Sequence, residues 1–344
     1  MIRRLRLDKY SALYLWAIFM VFFGITKRST FLSLASFKLV FIEAVFTAVL
    51  ALAFLVPLST GTFDLSIGTM MSMSLVVSAY LAKHHVVNPV IGMFIALAAC
   101  AVAGAISGFF VVKLRVNSFI ATLGMSQIIT AFIIHTSPQS INSPFTEAFQ
   151  NIGKRQLLGI PLFMYYLAVL ALILWYVFEY TPMGRYMFAT GGNPEAARLA
   201  GVRTDRLVFG SLVTSAVIAG FAGTIYSWRI GNYAQSVGPG YLFAAIAAVF
   251  FGASQLKGRP NVWGTLIALY ALAWGIKGLQ LTFSGAQNWI EPLFTGLSLL
   301  AAVSLASRVG IIKIPRRSKP ADVATTTAAD APAAASGSAA ELVP

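Results

Sequence analysis

Charge is scarce in this chain. Only 10% of its 344 residues are Asp, Glu, Lys or Arg, while 58% are hydrophobic; an average soluble domain is about 25% charged. So few charges cannot give a core of that size a water-facing surface, which excludes an ordinary soluble protein. Acids are scarcer still, 11 against 25 bases, for a formal net charge of +14. The bases fall in small groups between apolar runs rather than along one face, which is positive-inside topology and not a nucleic-acid surface. The single cysteine, Cys100, excludes an intramolecular disulfide and reads as a small buried hydrophobe. His84, His85 and His135 have no Cys or carboxylate partners at zinc spacing, so no metal site is expected. No P-loop is present, because the only Gly-Lys, Gly153-Lys154, continues with Arg155 rather than Ser or Thr. Clustered Ser/His/Asp or paired-carboxylate sets, which a membrane enzyme would need, are also missing.

Apolar runs are abundant instead. A spanning helix needs roughly 20 apolar residues. Ten candidates stand at about 12–26, 38–57, 65–83, 88–112, 118–135, 162–180, 207–228, 241–255, 260–281 and 288–307, the first and eighth being short. The basic N-terminus resembles a signal peptide, but without an Ala-x-Ala site it reads as an uncleaved first helix. With both termini inside, sixteen bases face inward and seven outward. The inner groups are Arg3, Arg4, Arg6 and Lys9; Lys113 and Arg115; Arg185, Arg198, Arg203 and Arg206; Lys257 and Arg259; and four in the tail. Eight spans would also keep both ends inside. The expected fold is therefore an all-α polytopic membrane protein of about ten transmembrane helices with cytoplasmic termini. Residues 1–312 form the transmembrane domain, and 313–344, rich in Ala, Pro, Thr and Ser, form a disordered cytoplasmic tail. Residues 136–161 form a long outer loop broken by Pro138, Pro144 and Pro161.

Between two apolar runs lies the polar stretch "ATGGNPEAARLAGVRT", Ala189 to Thr204. Asn193 suits an N-cap, Pro194 the first helical position, Glu195 the positive end of the dipole, and Gly201 the left-handed position past the end. A helix of about Pro194 to Ala200 follows, with Ala196, Ala197 and Ala200 as a small-residue surface and Leu199 as a larger knob. Gly191 and Gly192 allow a sharp reversal before it. A plain cytoplasmic loop needs neither so full a set of signals nor so smooth a surface, so this unit reads as a docking element.

The longer stretch "PMGRYMFATGGNPEAARLAGVRTDRL" resembles the coupling segment of bacterial sugar-type ABC transporter permeases, the ribose permease group. "STGTFDLSIGTMMSMS", "VNSFIATLGM" and "AAIAAVFFGASQLKGRPNVWGTLIA" resemble further stretches of that family in the same order, so the likeness covers most of residues 40–305. Thr62 and Phe63 stand where Gly and Ile are usual, Ala253 where a second Gly is usual, and Arg259-Pro260-Asn261 replaces a Gly-rich turn. The resemblance implies a multi-pass protein of the bacterial inner membrane. Its partners would be an ABC ATPase subunit, a second permease, a periplasmic or lipid-anchored sugar-binding protein, and membrane lipid. ATP and Mg would sit on the ATPase, with no cofactor in this chain. The coupling segment would be 182–206, with Gly191, Gly192, Asn193, Pro194, Glu195, Ala196, Ala197, Arg198, Leu199, Ala200 and Gly201 seated in the ATPase groove. The implied cargo is a monosaccharide or related polyol. An ion-coupled secondary transporter and a branched-chain amino acid permease are the alternatives.

Polar residues near helix ends supply the other candidates. Asp64 in "STGTFDLSIG" reads as a cap accepting from Ser66 or Ile67, or as a polar hinge facing the path, with Gly61 and Gly68 leaving room for a neighbouring backbone. Lys277 and Glu291 are candidates for an ion pair or for snorkelling. Gly104 and Gly108 suit close helix contact. Asn117, Gln127, Trp228, Tyr233 and Trp274 have the chemistry of a sugar path.

Overall fold

Runs of apolar residues without internal charge fold into helices because a bilayer leaves no other partner for the backbone. The computed structural model describes residues 7–84, 86–137, 145, 147, 150–151, 155–230, 237–254, 258–283 and 289–308. Its helices are α1 (Leu7–Thr26), α2 (Arg28–Phe31), α3 (Leu34–Ser59), α4 (Ile67–Lys83), α5 (Pro89–Val112), α6 (Ser118–Thr136), α7 (Leu162–Tyr180), α8 (Pro182–Gly192), α9 (Pro194–Leu199), α10 (Thr204–Ile230), α11 (Val237–Ala253), α12 (Val262–Thr282) and α13 (Ile290–Arg308). Among the described residues, six helices are long and apolar enough to cross a membrane: α3, α5, α6, α7, α10 and α12. Shorter apolar helices are Ala12–Thr26 within α1, α4, α11 and Ile290–Ser304 within α13. The tail 313–344, Arg3, Arg4, Arg6, His85, Lys154, Lys257 and Tyr233 lie outside the described residues.

One element departs from the all-helical expectation. Gln156–Leu157 pairs antiparallel with Ile160–Pro161 as a two-stranded hairpin. Its turn is Leu158-Gly159, with φ of 53° and 76°, the left-handed pair that a two-residue turn requires.

Side-chain caps start most of the long helices. Ser33 accepts from the Ser36 N–H, Asn88 from Val90, Asn117 from Phe119 and Asn261 from Gly264. Helix α3 is buried over most of its length and lies at the centre of the apolar core. Helix α10 packs against α3, α4 and α5, and α11 against α3, α4, α12 and α13. Gly104 and Gly108 seat α5 on α10, as their spacing suggests: a Cβ on Gly104 would lie 2.7 Å from Ala216 Cβ. Cys100 is fully buried, its thiol 3.5 Å from the Met70 carbonyl. The perimeter helices α5, α6 and α7 leave Phe94, Val102, Ile120, Ile128, Val169 and Ile173 exposed, as suits a surface that faces lipid or another membrane protein.

Candidate functional site

Three features stand out: a capped helix, a break between two helices, and a cavity lined by charged and aromatic side chains.

The capped helix is α9. The Asn193 side chain accepts from Ala196 N–H at 3.1 Å, and Pro194 is the first helical residue. At the other end Gly201 has φ of 83°; its N–H donates to the Arg198 carbonyl at 2.9 Å, and that of Val202 to Ala197 at 3.0 Å. These two bonds make a Schellman stop. Ala197 is buried, while Glu195, Ala196, Leu199 and Ala200 are exposed, so the three alanines do not share one surface. Leu199 is 91% exposed. Burying it would be worth about 1.5–3 kcal/mol, which water alone leaves ungained. Arg198 ties α9 to the start of α10, donating to Asp205 at 3.0 Å and Thr204 at 3.3 Å. Arg115, in the turn between α5 and α6, reaches the same Asp205 at 3.2 Å. These pairs are exposed, and such bridges contribute about 0.2–1 kcal/mol each, so they orient α9 more than they stabilise it. On the same side Arg259 pairs with Glu179 at 2.9 Å and stacks over Phe188 of α8 at 4.2 Å.

Gly191 and Gly192 do not form the reversal expected of them. Both end α8, and the chain turns at Asn193, with φ of −152° and ψ of 100°. Gly191 instead packs on the α3–α4 break. A Cβ on it would lie 2.6 Å from the Ser59 carbonyl oxygen and 3.0 Å from Gly61 N. Nothing lies within 4 Å of a Cβ on Gly192.

The break runs from Thr60 to Ser66. Thr60 Oγ1 lies 3.2 Å from Ser211 of α10, and Ser74 Oγ lies 3.3 Å from Thr224 of the same helix. Ser211 stands about 10 Å along the axis from the start of α10, so the break begins alongside that helix rather than beyond its end. Backbone there needs partners within the protein, and most of its donors have one. Thr60 N–H and Thr62 N–H donate to the Pro57 carbonyl. Phe63 N–H donates to Ser118 Oγ at 3.1 Å, Leu65 N–H to Thr122 Oγ1 at 3.1 Å, and Ser66 N–H to Asp64 Oδ1 at 3.0 Å. Asp64, 2% exposed, also accepts from Ser66 Oγ at 2.5 Å. Beyond the break, Gly68 meets Gly238 and Pro239 at the start of α11; a Cβ on Gly68 would lie 2.9 Å from the Gly238 carbonyl oxygen. Ser72 Oγ accepts from Gly238 N–H at 3.0 Å. Ser118 and Thr122 escaped the sequence reading, although their i, i+4 spacing in "VNSFIATLGM" places both hydroxyls on one helix face.

The cavity, about 360 Å³, lies between α3, α10, α11, α12 and α13. Its lining includes Glu43, Thr47, Tyr226, Arg229, Tyr241, Lys277, Gln280, Glu291 and Thr295. Lys277 and Glu291 thus share a cavity, but no ion pair joins them among the described residues. Gly61, Asp64, Ser66 and Gly68 do not line it. The sugar-path candidates lie elsewhere. Asn117 caps α6, and Gln127 sits on that helix's exposed side. Trp228 is buried against Tyr166, and Trp274 against Phe31 and Phe37.

Helices long and apolar enough to span a membrane, a break between α3 and α4, and a cavity lined by charged side chains inside the bundle are the features of a membrane permease. Residues 37–303 match the family described as branched-chain amino acid transport system / permease component, and the chain belongs to that family. It is similar to the ribose import permease of Escherichia coli K12, 31% identical over 261 residues, covering 74% of this chain and 80% of that protein. It is also similar to the fructose import permease of Rhizobium meliloti, 29% identical over 295 residues and covering 83% and 81% of the two chains. The D-allose transport system permease of E. coli K12 is 26% identical over 299 residues, covering 87% and 91%. No solved structure matches the chain. The protein is a multi-pass permease of the bacterial inner membrane.

Proposed function

We propose that this chain is the membrane subunit of an ATP-driven importer for a monosaccharide or related polyol, which a substrate-binding protein delivers. A separate ABC ATPase, carrying ATP and Mg, supplies the work, and a second permease completes the membrane path. The family description names branched-chain amino acids, but the similar proteins above are named for ribose, fructose and allose, which favours sugar.

Ten spans with both termini cytoplasmic is the topology that fits best. Three of the bases assigned inward support it: Arg115 and Arg198 share Asp205, and Arg259 touches both α7 and α8. Arg229, assigned outward, lines the cavity far from them.

The observation that carries the mechanism is the contact of Gly191 with Gly61. In this reading α9 seats Leu199 in the ATPase, closure of the ATPase shifts α8 and α9, and the shift reaches the α3–α4 break directly. A capped helix transmits that displacement where a loose loop would absorb it.

The test is uptake by proteoliposomes holding this chain with an ABC ATPase and a sugar-binding protein from the same organism. ATP-dependent accumulation of radiolabelled D-ribose, D-fructose, D-galactose or D-allose is expected. Accumulation of L-leucine alone, or sugar uptake driven by a proton or sodium gradient without ATP, overturns the reading.

A further inference from the structure

Ionisable side chains inside a helical bundle are costly and mark functional sites. The cavity between α3 and α10–α13 holds four: Glu43, Arg229, Lys277 and Glu291. Among the described residues none of them lies within ion-pair distance of another, so their hydrogen-bonding capacity is not consumed internally. Two acids and two bases give the walls a formal net charge of zero, which suits a ligand without net charge. A hydroxyl is one complementary group, because it donates to a carboxylate and accepts from a guanidinium or ammonium at once. Aromatic faces complete the lining. Tyr226 and Tyr241 stand 6.3 Å apart edge to face, and both rest on Phe46. The volume of about 360 Å³ lies at the small end of the roughly 300–1,000 Å³ range of small-molecule sites.

The cavity also has a floor. Helices α3 and α11 run in the same direction, since Phe46 meets Tyr241 and Phe54 meets Phe250 further along. Phe63, on the break, closes onto both Phe54 and Phe250 at 6.2 Å. An aromatic cluster therefore lies between the cavity and the segment that touches Gly191.

We infer that this cavity is a substrate-holding site within a single permease chain, taking a neutral polyhydroxylated ligand of monosaccharide size. The inference rests on the sugar-import reading and adds where the sugar is held.

The purified permease in lipid nanodiscs, without ATPase or binding protein, is probed by saturation-transfer NMR with D-ribose, D-fructose, D-galactose and D-allose, and with L-leucine. At least one sugar gives a signal that Thr47→Trp, which fills the cavity from α3, abolishes. Glu43→Gln weakens it roughly tenfold, as expected for the loss of a charge-assisted hydrogen bond. Ala244→Phe fills the cavity from α11 should Thr47→Trp fail to fold. Absence of signal from every sugar, or a signal unchanged in the filled variants, overturns the site. A cavity-dependent signal from leucine alone overturns the ligand class. Import by the same variants separates the two levels. Sugar uptake that ignores the cavity variants leaves the function standing and the site refuted. Sugar binding in the cavity without ATP-driven uptake refutes the function instead.

Discussion

Gly191, near the end of α8, and Gly61, in the α3–α4 break, meet backbone against backbone: the Gly191 Cα lies 3.1 Å from where a Cβ on Gly61 would stand. Gly61 has φ of 78°, so two separate constraints keep a side chain out of this contact. The segment that resembles an ATPase-coupling element thereby touches the non-helical segment between α3 and α4.

Gly191→Ala must push the break away, because its Cβ would meet the Ser59 carbonyl. Sugar imported per ATP hydrolysed should fall roughly tenfold, the equivalent of about 1.4 kcal/mol, with membrane insertion kept. Gly192→Ala has open space and serves as the control. Equal coupling ratios in the two variants would show that the contact transmits nothing.

Gly201→Val places a β-branched residue at φ of 83°, at a cost of about 1–2 kcal/mol. Asn193→Ala removes the cap bond to Ala196, at about 1 kcal/mol. Either change should loosen α9 while leaving the bundle melting temperature within a few degrees, as read by thermal unfolding in detergent. Binding of the ATPase subunit, measured by pull-down, should weaken in both. Wild-type ATPase binding by both variants would remove α9 from the interface.

Asp205→Asn releases Arg115 and Arg198 together. Because the pairs are exposed, thermal stability should change by no more than about 1 kcal/mol. Transport coupling should drop, and raising the ionic strength should mimic part of the effect on the wild type. A large stability loss with unchanged coupling would assign the pairs a purely structural role.

Thr122→Val keeps the shape of the side chain but leaves the Leu65 N–H without its acceptor. The donor is part-buried, so stranding it should cost about 1 kcal/mol, the low end of the range for a buried one. Thr122→Ser should retain the bond and most of the stability. The comparison is made by thermal unfolding, and equal melting of Thr122→Val and wild type would mean that the break does not depend on α6.

What the sequence by itself determined is local. Hydropathy picked out all six helices that are long and apolar enough to cross a membrane and the four shorter apolar ones, because burial in lipid acts on each run separately. The ends of α9 were legible for the same reason: Asn193, Pro194 and Gly201 act within four residues of themselves. The Asp64 bond to Ser66 N–H was legible too, at a separation of two residues. What only the tertiary structure decided is which distant residues meet. Asn117 looked like part of a sugar path and proves to be a cap, because its side chain bonds to its own helix start. Gly191 looked like a hinge and proves to be a contact surface, because the space beside it is filled by the backbone of another segment. Glu43, Arg229, Lys277 and Glu291 come from four helices, and no periodicity along one chain segment could have gathered them around one cavity. Lateral packing of helices, unlike their formation, depends on shape complementarity between surfaces far apart in the sequence, and it is there that the break, its support and the cavity are made.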